Sequence, residues 1–211
     1  MNIKILALIL LAFCAQPAWS QTPAASAAAA AADSPALTTR LALRDLWVEH
    51  IFWFRNYALA NQAADHVQAK VAADQVVDNA SKIANSLAPL YGQPAADQLL
   101  KLLAGHWGAV KHYSDATVGK DTKGKQAAVA ELTSNAKAIA AFLASANPNL
   151  PEATLVNMLS AHGGHHIAQI DEFAAHDYAG EARTWQMMRS HILALADALS
   201  AALVKQFPDK F

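Results

Sequence analysis

Histidine is the residue type in this chain whose number and spacing suit coordination chemistry; there are nine, against a single cysteine. Three of them, His50, His106 and His162, follow one another at a step of 56 residues, each four residues after Leu46, Leu102 or Met158. The same step relates Asn79, Asn135 and His191, each 29 residues after its histidine, and Asp65, Asp121 and Asp177 between them. Histidine and aspartate are scarce enough for such coincidences in phase to mark an internal repeat. The third copy is the richest. Where the first two have Trp53, Phe54, Ala109, Val110 and Tyr113, it has His165, His166 and Gln169, and His191 stands where they have asparagine. The stretch Ala161-His162-Gly163-Gly164-His165-His166 places imidazoles at i, i+3 and i+4 on a helix, the spacing that lets two of them reach one cation.

A buried imidazole needs partners for both ring nitrogens, since an unpaired one costs about 1–3 kcal/mol. Two solutions are open. In one, each hairpin makes a His–Asn hydrogen bond that fixes its register. In the other, several imidazoles share a metal, with Asn79, Asn135 or Glu49 behind them as acceptors that orient the rings. For His50 and His106 alone the hydrogen-bonded solution is preferred. For His162 with His166 or His165, completed by His191 or His106, the two stand level. Imidazole-dominated coordination suits Zn(II), Cu(II) or iron. Haem between two histidines is a second choice, and no Cys-x-x-Cys-His is present to attach it covalently.

The remaining candidates belong to the surface or the core. His66, His112 and His176 fall near turns or off the apolar stripes and are expected in solvent. Trp47, Trp53, Trp107 and Trp185 read as core or groove-lining residues, and Asp171-Glu172 as a solvent-facing pair. Glycine-rich phosphate loops, Gly-x-Ser-x-Gly and His-Glu-x-x-His do not occur, so no catalytic residue is assigned.

The elements that position the histidines are helices. Apolar residues recur at three- and four-residue steps, as in Leu43, Leu46, His50, Phe54 and Tyr57 and, on the returning segment, Val76, Asn79, Ile83 and Leu87. The same stripes recur in the other two copies, and no alternating strand pattern does. Breaks fall at Tyr91-Gly92-Gln93-Pro94 and at Asn147-Pro148-Asn149-Leu150-Pro151. The expected fold is all-α: a six-helix bundle of three helical hairpins, over residues 37–92, 93–148 and 149–207, with helices of roughly 22 to 27 residues. The midpoints of His50 with Asn79, His106 with Asn135 and His162 with His191 fall at 64.5, 120.5 and 176.5, beside Asp65, Asp121 and Asp177, so each pair is level in its hairpin. Hairpins closed around one axis would gather all six into a polar layer. Stacked as an open solenoid, they would stay about 10 Å apart.

Residues 1–20 have the parts of a secretory signal: Lys4, the apolar run Ile5 to Phe13, and Ala18-Trp19-Ser20 before a cut ahead of Gln21. Cys14 falls inside this segment, which leaves the mature chain without a thiol. An alanine-rich leader over residues 21–36 precedes a single domain, with a helix start near Ser34-Pro35. No later run reads as a membrane span, so a periplasmic or secreted product without membrane insertion is expected. Without Lys4 the chain has fifteen Lys and Arg against seventeen Asp and Glu and no basic block, which argues against nucleic acid as partner.

Two resemblances add to this reading. Leu46-Trp47-x-Glu49-His50-x-x-Trp53-x-Arg55, Asn135-Ala136-x-x-Ile139-Ala140-x-Phe142-Leu143, Asn147-Pro148, Ala196-Asp197-x-Leu199 and Gln206-Phe207-Pro208-x-x-Phe211 resemble a family of small exported bacterial helical proteins without an established activity. The chain departs from that family's Glu-His pairs in having Gly105 before His106 and Ala161 before His162. Over about ten residues, His162-x-x-His165-His166-x-x-Gln169 is similar to the last-helix motif of DinB-like bundles, which bind a divalent metal through three histidines. That similarity implies His162 and His166 as ligands, with His106 or His50 as the third. The function expected is an exported bundle that holds a transition metal at its histidines. A DinB-like metal-dependent hydrolase or transferase, and a structural or stress-related bundle without a cofactor, are the alternatives.

Overall fold

A computed structural model describes residues 34–211. The expected signal segment, Cys14 and residues 21–33 lie outside the described residues. The periodicity of the stripes is realised in six long helices: α1 Pro35–Gln62, α2 His66–Asn85, α3 Gln93–Val118, α4 Thr122–Ala146, α5 Glu152–Ala174 and α6 Tyr178–Gln206. There is no strand among the described residues. α1 starts within the segment assigned to the leader, because Ser34 caps it: its Oγ accepts from Leu37 N–H at 3.3 Å, and Pro35 opens the first turn. Helix lengths spread more widely than the pattern suggested, 28 residues for α1, 20 for α2 and 29 for α6. α2 is short because the chain breaks at Ser86 and makes a separate turn over Ala88–Tyr91 before Gly92, at φ 82°, redirects it.

Each hairpin turns the same corner. Asp65, Asp121 and Asp177 are all helix N-caps, accepting from the backbone N–H of Gln68, Lys123 and Gly180 at 3.0, 3.0 and 2.8 Å. The residue before each, Ala64, Lys120 or His176, is left-handed, with φ of 55°, 54° and 56°. The aspartate N–H then closes back onto the carbonyl of Ala60, Ala116 or Glu172. This is the usual left-handed termination of a helix, made without the glycine that relieves it.

The hairpins close into a ring. α1 packs on α2, α2 on α3, and so on around to α6, which returns to α1; α1, α3 and α5 also touch one another at the centre. The first helix of each hairpin is therefore inner and the second outer. The ring is clasped where α6 meets α1: Arg40 and Arg44 each donate two hydrogen bonds to Asp197, at 2.7–2.9 Å. This pairing holds the Asp197 carboxyl well below its ordinary pKa.

Contrary to the expectation that no later run has the length and composition of a membrane span, an 18-residue window of α6 reaches a mean hydropathy of 1.3, which by length and composition alone suffices for one. Its Met188, Ile192, Leu195 and Ala196 form a stripe buried inside the bundle. The inner histidines lie between two apolar clusters. One, around Phe54, Val76, Val110, Tyr113 and Phe173, fills the end nearest the hairpin corners; the other, around Leu43, Leu99, Ile139, Leu159 and Leu195, lies toward the opposite end.

The corners yield a first prediction. A left-handed conformation costs a non-glycine residue about 1–2 kcal/mol, partly offset by the greater freedom of glycine in the unfolded chain. Ala64→Gly, Lys120→Gly and His176→Gly should each stabilise the protein by about 0.5–1 kcal/mol in urea denaturation. The effects should add, because the three corners belong to different hairpins.

Candidate metal centre

The inner helices bring His50, His106, His162 and His166 to one point on the bundle axis. All four are buried, and their ligand atoms lie within 4.8 Å of one another. His50, His106 and His162 form a near-equilateral triangle, with ring centroids 5.4–5.8 Å apart. His166, one turn further along α5, stands over the triangle with centroids 4.6–6.1 Å from its members. Its Nε2 is 3.1 Å from His162 Nε2. Phe54 covers the group on the corner side, its ring 4.5 Å from His50 and 4.7 Å from His166.

Two expected members stand outside this group. On a helix of 100° per residue, His166 returns to within about 40° of His162, whereas His165 is turned about 60° the other way. His165 is accordingly half-buried at the α6 side, its ring 5.6 Å from that of His191. His191 is committed elsewhere: its Nε2 bonds the Met158 carbonyl at 2.9 Å. That is the part asparagine plays in the other hairpins, where the amides of Asn79 and Asn135 donate to Leu46 and Leu102 carbonyls at 3.0 and 2.9 Å. His191 is thus a register residue rather than a fourth donor.

The His–Asn pairs expected as the structural solution are not formed. Neither nitrogen of His50 has a protein partner, nor has His106 Nε2 or His162 Nδ1. Asn79 lies beside His50 with its amide N–H groups committed to Leu46 O and, at 3.1 Å, to Glu49. Its Oδ1 is left unpartnered, as is that of Asn135. Glu49 touches Asn79 and, at 3.4 Å, Lys82, so it supports the asparagine and no imidazole directly. His66 and His176 are exposed and His112 faces Glu131 at the surface, as the sequence suggested. Trp47 is core, and Trp53, Trp107 and Trp185 are packed against the clusters. Asp171-Glu172 is no free pair: Asp171 accepts from Tyr113 and Lys125, and Glu172 from Thr184.

The electrostatics favour neutral rings. Burial pushes His50 down to about 3, helped by His106 and opposed in part by Asn79; burial alone takes His106 to about 4. His162 and His166 lie well below the ordinary value, through burial first and then through the neighbouring imidazoles. Uncharged imidazole with a free lone pair is the form that binds metal. The spacing is also suitable: two nitrogens at about 2.0–2.1 Å from a tetrahedral Zn(II) are about 3.3 Å apart, close to the His162–His166 separation.

Two features carried weaker sequence signals. Glu181 is buried on the inward stripe of α6 and receives both Arg55 N–H groups at 2.6 Å and Gln169 Nε2 at 2.8 Å. A carboxylate in phase with Thr184 and Met188 was the sign of it. The other is an apolar cavity of about 230 Å³ against the triangle, lined by His50, His106 and His162 but not by His166. Comparison with protein-family models, with curated proteins and with solved structures found no match.

The titration sets a second prediction, for the metal-free protein. The four native pKa values lie below the unfolded value of 6.5, so the unfolded chain binds more protons beneath that pH. Stability is full above pH 6.5 and falls as the pH drops from there toward 4, by up to about 1.4 kcal/mol per pH unit for each histidine. Urea unfolding at pH 7 and pH 5 should show this loss, and a His50→Leu/His106→Leu double variant should lose about half of the pH dependence.

Proposed function

We propose that this is an exported helical-bundle protein that binds a divalent transition metal through His50, His106, His162 and His166. The observation that carries the reading is a cluster of four buried imidazoles whose ligand atoms lie within 4.8 Å of one another, three of the rings having at least one nitrogen unpartnered by protein. Leaving such atoms unpaired costs about 1–3 kcal/mol each. One cation would satisfy several of them at once. Asn79 would act from behind His50 through its unpartnered Oδ1, orienting the ring as an acceptor. An all-nitrogen donor set suits Cu(II) and Zn(II), with Fe(II) weaker in the general order of affinities. Haem fits poorly, because imidazoles already in mutual contact leave no slot for a porphyrin between them.

The cavity gives the DinB-like hydrolase reading one supporting feature, room for a substrate beside the histidines. It lacks the rest of the machinery. No Asp or Glu lines the cavity, and the nearby carboxylates of Glu49 and Glu181 are held by Asn79 and Lys82 and by Arg55 and Gln169. Without a carboxylate to act as general base, the donor set favours binding over hydrolysis.

The test is metal content of the untagged protein by mass spectrometry after exposure to Zn(II), Cu(II) and Fe(II). About one metal per chain is expected in the wild type, with loss in His106→Ala and His162→Ala. His165→Ala and His191→Asn should keep it, since neither side chain belongs to the group and asparagine restores the register bond of the other hairpins. Free metal at about 100 times its Kd should add about 2.7 kcal/mol to wild-type stability. Wild-type protein that stays empty of all three metals would reduce the histidines to a structural role.

A further inference from the structure

The cavity beneath the histidine triangle is a built chamber with a mouth. Its walls are mainly apolar, Leu43, Leu99, Leu103, Ile139, Leu159 and Leu195 among them, and its roof is His50, His106 and His162. His166 does not reach it, so it lies on the far side of the triangle from the chamber. The mouth opens on the seam between α4 and α5. Gly163 stands there where the first two hairpins carry Ile51 and Trp107. A Cβ on Gly163 would come no nearer than 4.0 Å to the Leu132 side chain, and one on Gly164 would meet nothing within 4 Å. Val129, Thr133, Ser160 and Gly164 form an exposed rim around this gap.

Charge determines what such a chamber accepts. A divalent ion on four neutral imidazoles carries two uncompensated positive charges in a low-dielectric interior, and no carboxylate lines the space facing it. A bound anion is favoured there. The walls demand that the rest of the anion be apolar, and the volume limits its size. A dry cavity of about 150 Å³ accepts benzene, so about 230 Å³ has room for about nine carbons.

We propose that the chamber binds a medium-chain monocarboxylate, its tail among the aliphatic side chains and its carboxylate on the open face of the metal, opposite His166. This rests on the metal reading above. Coordination expands from four ligands to five, as zinc-family sites allow, and no bond in the ligand is broken. Entry is through the Gly163–Gly164 gap.

Octanoate is the probe. It would be titrated calorimetrically into zinc-loaded and metal-free protein, with metal content measured on the same samples. The expected result is binding at least about tenfold tighter with zinc, and hexanoate about fifteenfold weaker than octanoate for its two lost methylenes. Octanol, which has the chain without the charge, should gain nothing from zinc. Ala136→Phe, which fills the chamber from α4, and Gly163→Leu, which closes its mouth, should keep the metal and lose octanoate; either variant suffices if the other fails to fold. In the Co(II)-loaded protein, octanoate should weaken the visible absorption as a fifth ligand joins. Protein that never takes metal would overturn the metal reading and this proposal with it. Protein that holds metal but binds octanoate no better than the metal-free form, or with an unchanged Co(II) spectrum, would overturn this proposal alone.

Discussion

One hydrogen bond, made three times, sets the height of everything on the bundle axis. A side chain on each outer helix donates to a carbonyl one turn before the histidine of its inner partner: Asn79 to Leu46, Asn135 to Leu102, His191 to Met158. Such bonds are directional, and a slip of one residue along a helix would swing the facing side chains by about 100°. Because all three span the same 33 residues, the inner helices present His50, His106 and His162 at a common level. The cluster is then a consequence of register. His166 joins it because it lies one further turn along the same face.

This constraint explains what could be read from the sequence and what could not. The helices, the breaks at Gly92 and at residues 147–151 and the level placing of His50 with Asn79 all follow from periodicity and turn residues, which are local properties. Which atom of a level residue points where is not local. Asn79 was expected to bond its histidine and instead spends its amide on the backbone and Glu49. His191 looked like an added donor and acts as a substitute asparagine, a role that imidazole and carboxamide can share because each has an N–H donor. His165 is separable from His166 by helical angle alone. The cavity had no direct signature. It arises from side chains that are too small across several helices, and only Gly163, out of line with Ile51 and Trp107, hinted at it.

The two halves of the molecule divide their duties. Toward the corners, Phe54, Tyr57, Tyr113 and Phe173 are buried, and Arg55 pairs with Glu181 while its guanidinium lies over the rings of Phe173 and Trp185. Away from them, leucine and alanine leave the chamber unfilled. Unpartnered imidazole nitrogens and empty apolar volume both lower stability. Native proteins tolerate such defects mainly where a site needs them, and here the two lie against each other. Phe54, in the cluster at the corner end, packs on His166, and the donor group faces the chamber on its other side.

The clasp of Arg40 and Arg44 on Asp197 has a topological meaning. It joins the first described helix to the last by the same kind of lateral contact that the covalent links enforce between α2 and α3 and between α4 and α5. The ring therefore has three equivalent seams between hairpins, two crossed by peptide and one by ion pairs. A chain rewired to cross the third and cut at residues 147–151 would present the same contacts in a permuted order. The contacts alone would thus permit any of three starting points along the ring.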